Sequence, residues 1–147
     1  MSIHIVGLGL VAFLAMFVAT AAVAEPRTDY ILNCQGCHGP DGSGAPGAVP
    51  SFRGNVGKFL SVAGGREYLM RVPGTSQSEL SDARVAALLN WLVHEFSPDQ
   101  VPADFTAYTE EEVTRLRRPP LTDVTGTRQR LVQEIQARQQ QGGSSPR

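Results

Sequence analysis

The stretch Cys34-Gln35-Gly36-Cys37-His38 decides how the rest of this chain folds. Two thiols three positions apart, followed at once by an imidazole, form the attachment signature of c-type haem. Each cysteine adds across one vinyl group of the porphyrin, and a separation of one helical turn lets both sulfurs reach their vinyl groups. His38 then lies where it can serve as an axial ligand of the iron. The chain has 2 cysteines in all, so the motif uses both and predicts one covalently bound haem c per chain.

Three other uses of the cysteine pair fit the sequence less well. A redox-active pair of the thioredoxin type needs a βαβ pattern around it, and no such pattern is visible. A structural zinc site needs four ligands, yet His94 is the only Cys or His that follows the motif. A disulfide between Cys34 and Cys37 would close a very small, strained loop.

The first residues carry an export signal. Residues 5–23 are almost wholly apolar, and the small side chains of Ala22 and Ala24 fit a signal-peptidase site. We therefore predict a signal peptide over residues 1–24 and a mature chain that begins at Glu25 in the bacterial periplasm, where haem c is attached. The segment before the apolar run lacks Lys and Arg, and the run is long enough to span a bilayer. An uncleaved anchor that faces the periplasm is the alternative.

The charge balance limits the classes of partner. The chain has 13 Lys and Arg against 14 Asp and Glu, which gives a formal net charge of -1. A nearly neutral chain argues against binding to nucleic acid or another polyanion. Lys58 is the only lysine, so the chain also lacks the strongly basic face of mitochondrial-type cytochromes.

The mature chain is predicted to be mostly helical, with three segments. A domain over residues 25–97 is followed by a proline-punctuated helical extension over 98–141 and a disordered tail over 142–147. Apolar residues at helical spacing, with glycine and proline as breakers, predict the helices. They are expected over residues 27–35, 56–62, 65–72, 81–96, 110–117 and 126–140. Ser81 is a candidate N-cap, and Thr109 opens a capping-box pattern that ends at Glu112.

The chain from Tyr30 to Phe96 resembles a class I (monohaem) bacterial cytochrome c domain. The matching pieces are the segment from Tyr30 to Gly39, the glycine-rich loop up to Pro50, and the closing helix that contains Trp91. The resemblance implies an all-α fold around one haem, in which the first and last helices cross. It also implies that an aromatic residue of the last helix packs at the crossing, a position that Trp91 matches.

The resemblance further implies the surroundings of the iron. A proline carbonyl is expected to accept a hydrogen bond from the haem-ligand histidine, and Pro50 is the better match, with Pro46 second. The family usually supplies a methionine as the second axial ligand from a loop shortly before the last helix. Here the corresponding loop, residues 73–79, holds no methionine. Met70 is the one methionine after the leader and therefore the candidate ligand, although it also fits a space-filling core position.

Beyond Ser97 the resemblance ends. Leu131, Val132 and Ile135 form the apolar stripe of the last predicted helix. We interpret the extension as a segment that packs against the domain and adds buried area. Docking of a partner enzyme is the alternative use.

The sequence as a whole predicts a periplasmic carrier of single electrons, or the electron-accepting subunit of a dehydrogenase. Its partners would be redox proteins, such as a dehydrogenase or an oxidase. No acid–base or nucleophile constellation accompanies the motif, so we do not expect an enzyme. If the iron lacks a sixth protein ligand, a small-molecule sensor or a weak peroxidase is the alternative, and a redox-silent structural subunit is the third.

Overall fold

The computed structural model describes residues 25–143, and in that range the chain forms helices and no strand. The helices are α1 (Pro26–Asn33), α2 (Gln35–His38), α3 (Gly65–Arg71), α4 (Pro73–Ser76), α5 (Asp82–Phe96), α6 (Glu110–Leu116) and α7 (Val124–Gly143), with 3₁₀ helices at Val56–Ser61 and Pro98–Gln100. The all-α fold class is confirmed. The predicted signal peptide lies outside the described residues.

The first and last helices of the domain, α1 and α5, pack against each other. α1 starts with Pro26, a residue that suits the first helical turn because its missing N–H needs no partner there. Tyr30 of α1 is buried, and its ring lies 5.5 Å from that of Trp91 in α5. Ser81 caps α5 as predicted, since its hydroxyl accepts from the Arg84 amide. The contact between the two helices, with Trp91 at that contact, therefore agrees with what the resemblance implied.

The glycine-rich loop after α2 folds back on itself. The Phe52 amide donates to the Gly42 carbonyl at 2.8 Å. Gly44 adopts a φ of 70°, and a Cβ there would lie 2.3 Å from the Val49 carbonyl oxygen. No other residue type fits that position without moving the backbone. This close approach brings the end of the loop, at Pro50, back toward α2.

The segment before α5 differs from the prediction. The sequence predicts a loop over residues 73–79 that begins where Pro73 stops α3, but Pro73 instead opens the one-turn helix α4. A proline in the interior of a helix ends that helix, but the fixed φ of proline suits the first turn of a new helix. The first half of the predicted loop is thus a compact helical turn.

One of the two hydrogen bonds of the predicted capping box is present at the start of α6. The Thr109 hydroxyl accepts from the Glu112 amide. The Glu112 carboxylate does not reach back to the cap and instead forms two hydrogen bonds of 2.6 Å with Arg66 of α3. The Arg66 guanidinium also lies 3.9 Å from the centre of the Tyr108 ring. A contact across 46 residues of sequence has therefore replaced a local one.

The extension packs against the domain. Tyr108, Val113, Leu131 and Ile135 are buried in the same core cluster as the residues of α3 and α5. The Tyr108 amide donates to the Asn90 side chain at 2.8 Å, and the Asn90 amide group donates back to the Tyr108 carbonyl. The last helix, α7, continues through Gly143, two residues into the tail that was predicted to be disordered.

Arg117 forms the most extensive polar contact between the extension and the domain. Its side chain is 1% exposed and donates to the carbonyls of Thr75, Ser78 and Leu80. It also forms an ion pair of 2.8 Å with Asp82, the first residue of α5. The guanidinium thus satisfies the carbonyls of the turn between α4 and α5 and holds the start of α5.

Candidate functional site

The haem-attachment motif occupies one helical turn. α1 ends at Asn33, and Cys34 leaves the helical conformation with φ -124° before α2 begins. The Cys34 carbonyl then accepts from the amides of Cys37, at 3.2 Å, and His38, at 3.0 Å. The two thiols and the imidazole are therefore held by one short stretch of ordered backbone, as the spacing predicted.

The surroundings of Cys34 differ from those of a reactive thiol pair. Both cysteines are free, with Cys37 exposed and Cys34 half-buried. Burial, with the charges of Asp29 and Cys37, raises the pKa of Cys34 to about 11. Reactive C-x-x-C pairs show the opposite, a lowered thiol pKa. The described residues also contain no cluster of three or more His, Cys, Asp or Glu side chains that would hold a metal ion.

His38 is oriented by its neighbours. Its ring stacks on Phe52, with 3.8 Å between centroids and 13° between planes. Its Nδ1 is buried without a hydrogen-bond partner. Burial lowers the pKa of His38, and the backbone of Pro50 partly opposes this by raising it. The imidazole is thus biased toward the neutral form that ligates metals.

The contact between Pro50 and His38 is weaker than the hydrogen bond that the resemblance implies. The backbone of Pro50 acts on the His38 ring, yet no contact meets the distance and angle of a hydrogen bond. The loop backbone provides a second tie, because the Gly44 amide donates to the His38 carbonyl at 2.8 Å. The assignment of Pro50 to the haem pocket stays a prediction.

Two residues of α1 support the site in ways that sequence reasoning did not foresee. The Tyr30 hydroxyl donates to the Gly39 carbonyl at 2.5 Å and ties the first helix to the residue after His38. Asp29, fully buried, pairs with Arg84 of α5. An aromatic residue four positions before Cys34 was a visible signal for Tyr30. The sequence around Asp29 or Arg84 does not indicate this pair, because the two residues are 55 positions apart.

The surface around the motif fits a haem. Ile31 and Leu32 are the large hydrophobic side chains that stand out as exposed in the described part of the chain, at 45% and 72%. Both lie within three residues of Cys34, on the helix that leads into the thiols. An apolar surface beside two free thiols and a buried imidazole nitrogen without a partner is what a covalently tethered porphyrin would cover. The residues present therefore fit the group that the motif predicts.

The candidates for the distal side are placed differently. Met70 is 0% exposed in α3, a helix that packs against the first 3₁₀ helix, α4, α6 and α7. His94 is exposed on α5, with its ring 5.7 Å from that of Phe105. Met70 is thus surrounded as a space-filling core residue would be, and its ligation of iron stays a prediction.

Comparison with known proteins gives two relatives, both from Thermus thermophilus. The chain is 34% identical over 131 residues to one cytochrome c-552, an alignment that covers 77% of this chain and 88% of the relative. It is 35% identical over 107 residues to a second cytochrome c-552, covering 60% of this chain and 82% of the relative. No protein-family model matches.

Proposed function

The chain belongs to the class I monohaem c-type cytochromes, and we propose that it works in the periplasm as a one-electron carrier that serves a dehydrogenase. It carries one covalently bound haem c and is an electron-transfer protein, not an enzyme. The observation that carries the proposal is the placement of Cys34, Cys37 and His38 on one ordered turn beside an exposed apolar surface.

The chain's own residues hold and shield the cofactor. Cys34 and Cys37 would tether it, and His38 would bind its iron, which supplies the one-electron chemistry when bound. The Phe52 stack limits rotation of the His38 ring. The hydrogen bond from Tyr30 to Gly39 fixes the turn after His38. A ligand set held this firmly needs little rearrangement when the charge on the iron changes.

We propose that redox partners approach the edge that Cys37 marks. Cys37 is exposed, so the porphyrin edge that it would tether lies at the surface of the molecule. The net charge of -1 gives the molecule as a whole little long-range electrostatic attraction for a partner. A dehydrogenase as donor and an oxidase as acceptor are the partner classes that this chemistry suits.

Periplasmic location rests on the apolar leader and its small-residue cleavage site. Among the helices that the structure describes, none combines the length and the apolar character needed to cross a bilayer. Cell fractionation with mass spectrometry tests the location. A periplasmic protein that begins at Glu25 is the expected result, and an intact leader in the membrane fraction would establish the anchored alternative.

A redox titration of the purified holoprotein tests the electron-carrier proposal. The expected result is one reversible one-electron couple with a single haem per chain. A haem that cannot be reduced and reoxidised would overturn the proposal and favour the structural-subunit alternative.

A second candidate, an open distal site that binds a small molecule, is favoured by one observation. The segment before α5 contains no sulfur or imidazole side chain, and Met70 is packed in the core. Carbon monoxide added to the reduced holoprotein distinguishes the two functions. Rapid binding favours a sensor or weak peroxidase, whereas no spectral response favours the carrier.

A further inference from the structure

Ring contacts restrain the His38 imidazole more than hydrogen bonds do. Its Nδ1 is buried without a hydrogen-bond partner among the described residues. A histidine that binds a metal usually donates from its second ring nitrogen to a carbonyl, a carboxylate or a water, and this bond sets the plane of the ring. The torsion between Cβ and a flat ring is broad when nothing else restricts it. A different contact therefore holds the His38 ring in its plane.

Phe52 supplies that contact. The centroids of the two rings lie 3.8 Å apart, and the ring planes differ by 13°. Aromatic rings usually pack offset or edge-on, with centroids about 4.5–7 Å apart, so His38 and Phe52 overlap face to face at an unusually short distance. The rings are already at van der Waals separation. Rotation of the imidazole about its Cβ–Cγ bond would therefore press its edge into the Phe52 ring.

Phe52 is itself held by its backbone and by a second ring. Its amide donates to the Gly42 carbonyl at 2.8 Å, and its carbonyl accepts from the Asn55 amide at 3.0 Å. Its ring stacks on that of Phe96, with 6.0 Å between centroids and 28° between planes. Phe52 therefore cannot turn away from His38 without losing these contacts.

Phe96 is the last residue of α5, and its ring lies on the backbone of Gly42. A Cβ at Gly42 would lie 2.8 Å from Cδ1 of that ring, so a larger residue there would displace it. The Phe96 carbonyl accepts from the Gly54 amide at 2.8 Å, and its ring lies 5.1 Å from that of Tyr30. Two rings in contact thus connect the end of α5 to the imidazole of His38.

We propose that Phe52 and Phe96 act together as positioning residues that fix the plane of the His38 imidazole. The end of α5 holds Phe96, Phe96 holds Phe52, and Phe52 holds the imidazole. The inference rests on the proposed function, since it takes His38 as a ligand of the haem iron. Neither phenylalanine is a ligand, and each acts only through the ring next to it.

Proton NMR of the ferric holoprotein tests the proposal. The paramagnetic shifts of the four haem methyl groups depend on the plane of the axial imidazole. Phe52→Leu removes the flat face beside His38, so the order of these shifts should change or their spread should narrow. Phe96→Leu should cause a smaller change. The double variant should match Phe52→Leu alone, because both residues act through one contact.

Two further variants separate positioning from general packing. Phe52→Tyr keeps the aromatic face and should retain the wild-type shifts. Phe105→Leu is the matched control, because Phe105 is also a half-buried phenylalanine beside an imidazole, with its ring 5.7 Å from that of His94. The haem-methyl shifts of Phe105→Leu should equal those of the wild type.

The outcomes separate this inference from the proposed function. A wild-type protein without covalent haem or without a reversible couple would refute the function itself. In a wild type that has both, unchanged shifts in Phe52→Leu would overturn the positioning role, and so would an equal change in Phe105→Leu or Phe52→Tyr. If Phe52→Leu does not retain haem, Phe96→Leu decides: changed shifts support the proposal, and wild-type shifts overturn it.

Discussion

Substitutions of the two thiols and of the imidazole in the haem-attachment motif should have different effects on the holoprotein. Cys34→Ala and Cys37→Ala should each lose one thioether bond, and the double variant should retain no covalent haem. His38→Ala should lose the proximal ligand and fold poorly, because the haem fills the core of so small a domain. Haem staining and intact mass of the denatured proteins measure attachment. Haem that remains bound to the denatured double variant would contradict the assignment.

A suitable substitution of Met70 can distinguish an iron ligand from a core residue. Met70→Leu removes the sulfur but nearly preserves the volume, so a core role predicts a loss of less than about 1.5 kcal/mol in unfolding free energy. We expect weak or absent methionine ligation, and therefore the same ferric spectrum in both proteins. The sulfur-to-iron charge-transfer band and the midpoint potential are the measurements. A band that the wild type shows and Met70→Leu lacks would establish Met70 as the sixth ligand.

The residues of the site differ in how well their roles can be predicted from the sequence. Residue type and short spacing define the roles of Cys34, Cys37 and His38, and both can be read directly from the sequence. Asp29 acts through a partner on another helix, and a lone acidic residue in a sequence carries no mark of that partner. Met70 lies between these cases, because the same side chain suits both a ligand and a packed core.

At the scale of elements, the turn between α4 and α5 depends on a cation from the extension. Arg117→Met should destabilise the protein by about 3–5 kcal/mol, because it leaves Asp82 and the turn carbonyls without their buried partner. Chemical denaturation of the holoprotein measures the loss. Arg115→Met, at an exposed position in the last turn of α6, is the matched control, with an expected change within about 0.5 kcal/mol. Equal effects of the two variants would contradict the role of Arg117.

The same contact predicts a dependence of stability on pH. The hydrogen bond from Arg117, with a further bond from Thr114, holds the pKa of Asp82 below its ordinary value of 3.8. The folded state then binds fewer protons than the unfolded state, so this contribution is present at neutral pH and is lost as pH falls below 3.8. The destabilisation caused by Asp82→Asn should therefore shrink between about pH 7 and about pH 3. An equal destabilisation at both pH values would show that the ionised form contributes nothing.

Elements were predicted well where local periodicity determines them and poorly where distant contacts do. The helix α5 follows directly from its apolar repeat and from Ser81 as its cap. The turn α4 was missed because Pro73 both ends one helix and begins the next. The capping box at Thr109 formed only in part, since Glu112 gains more from a bidentate pair with Arg66 than from its local amide.

For the whole molecule, truncation after Phe96 tests how the extension contributes. Haem attachment should persist, because every residue of the motif precedes the cut. Stability should fall strongly, since Tyr108, Val113 and Leu131 are buried in the common core. Thermal melting and haem stain of the truncated protein are the measurements. Unchanged melting with lost electron transfer to a native partner would refute the packing role and favour docking.

The reciprocal hydrogen bonds between Asn90 and Tyr108 have a consequence for how the folded chain opens. Asn90 lies in the middle of α5, so these bonds hold the extension against the helix that packs on α1. Local opening usually follows contiguous cooperative units. Here the extension cannot detach without breaking bonds to the centre of α5. We therefore expect the domain and the extension to open as one cooperative unit, and hydrogen exchange should show similar protection of the amides on both sides of residue 97.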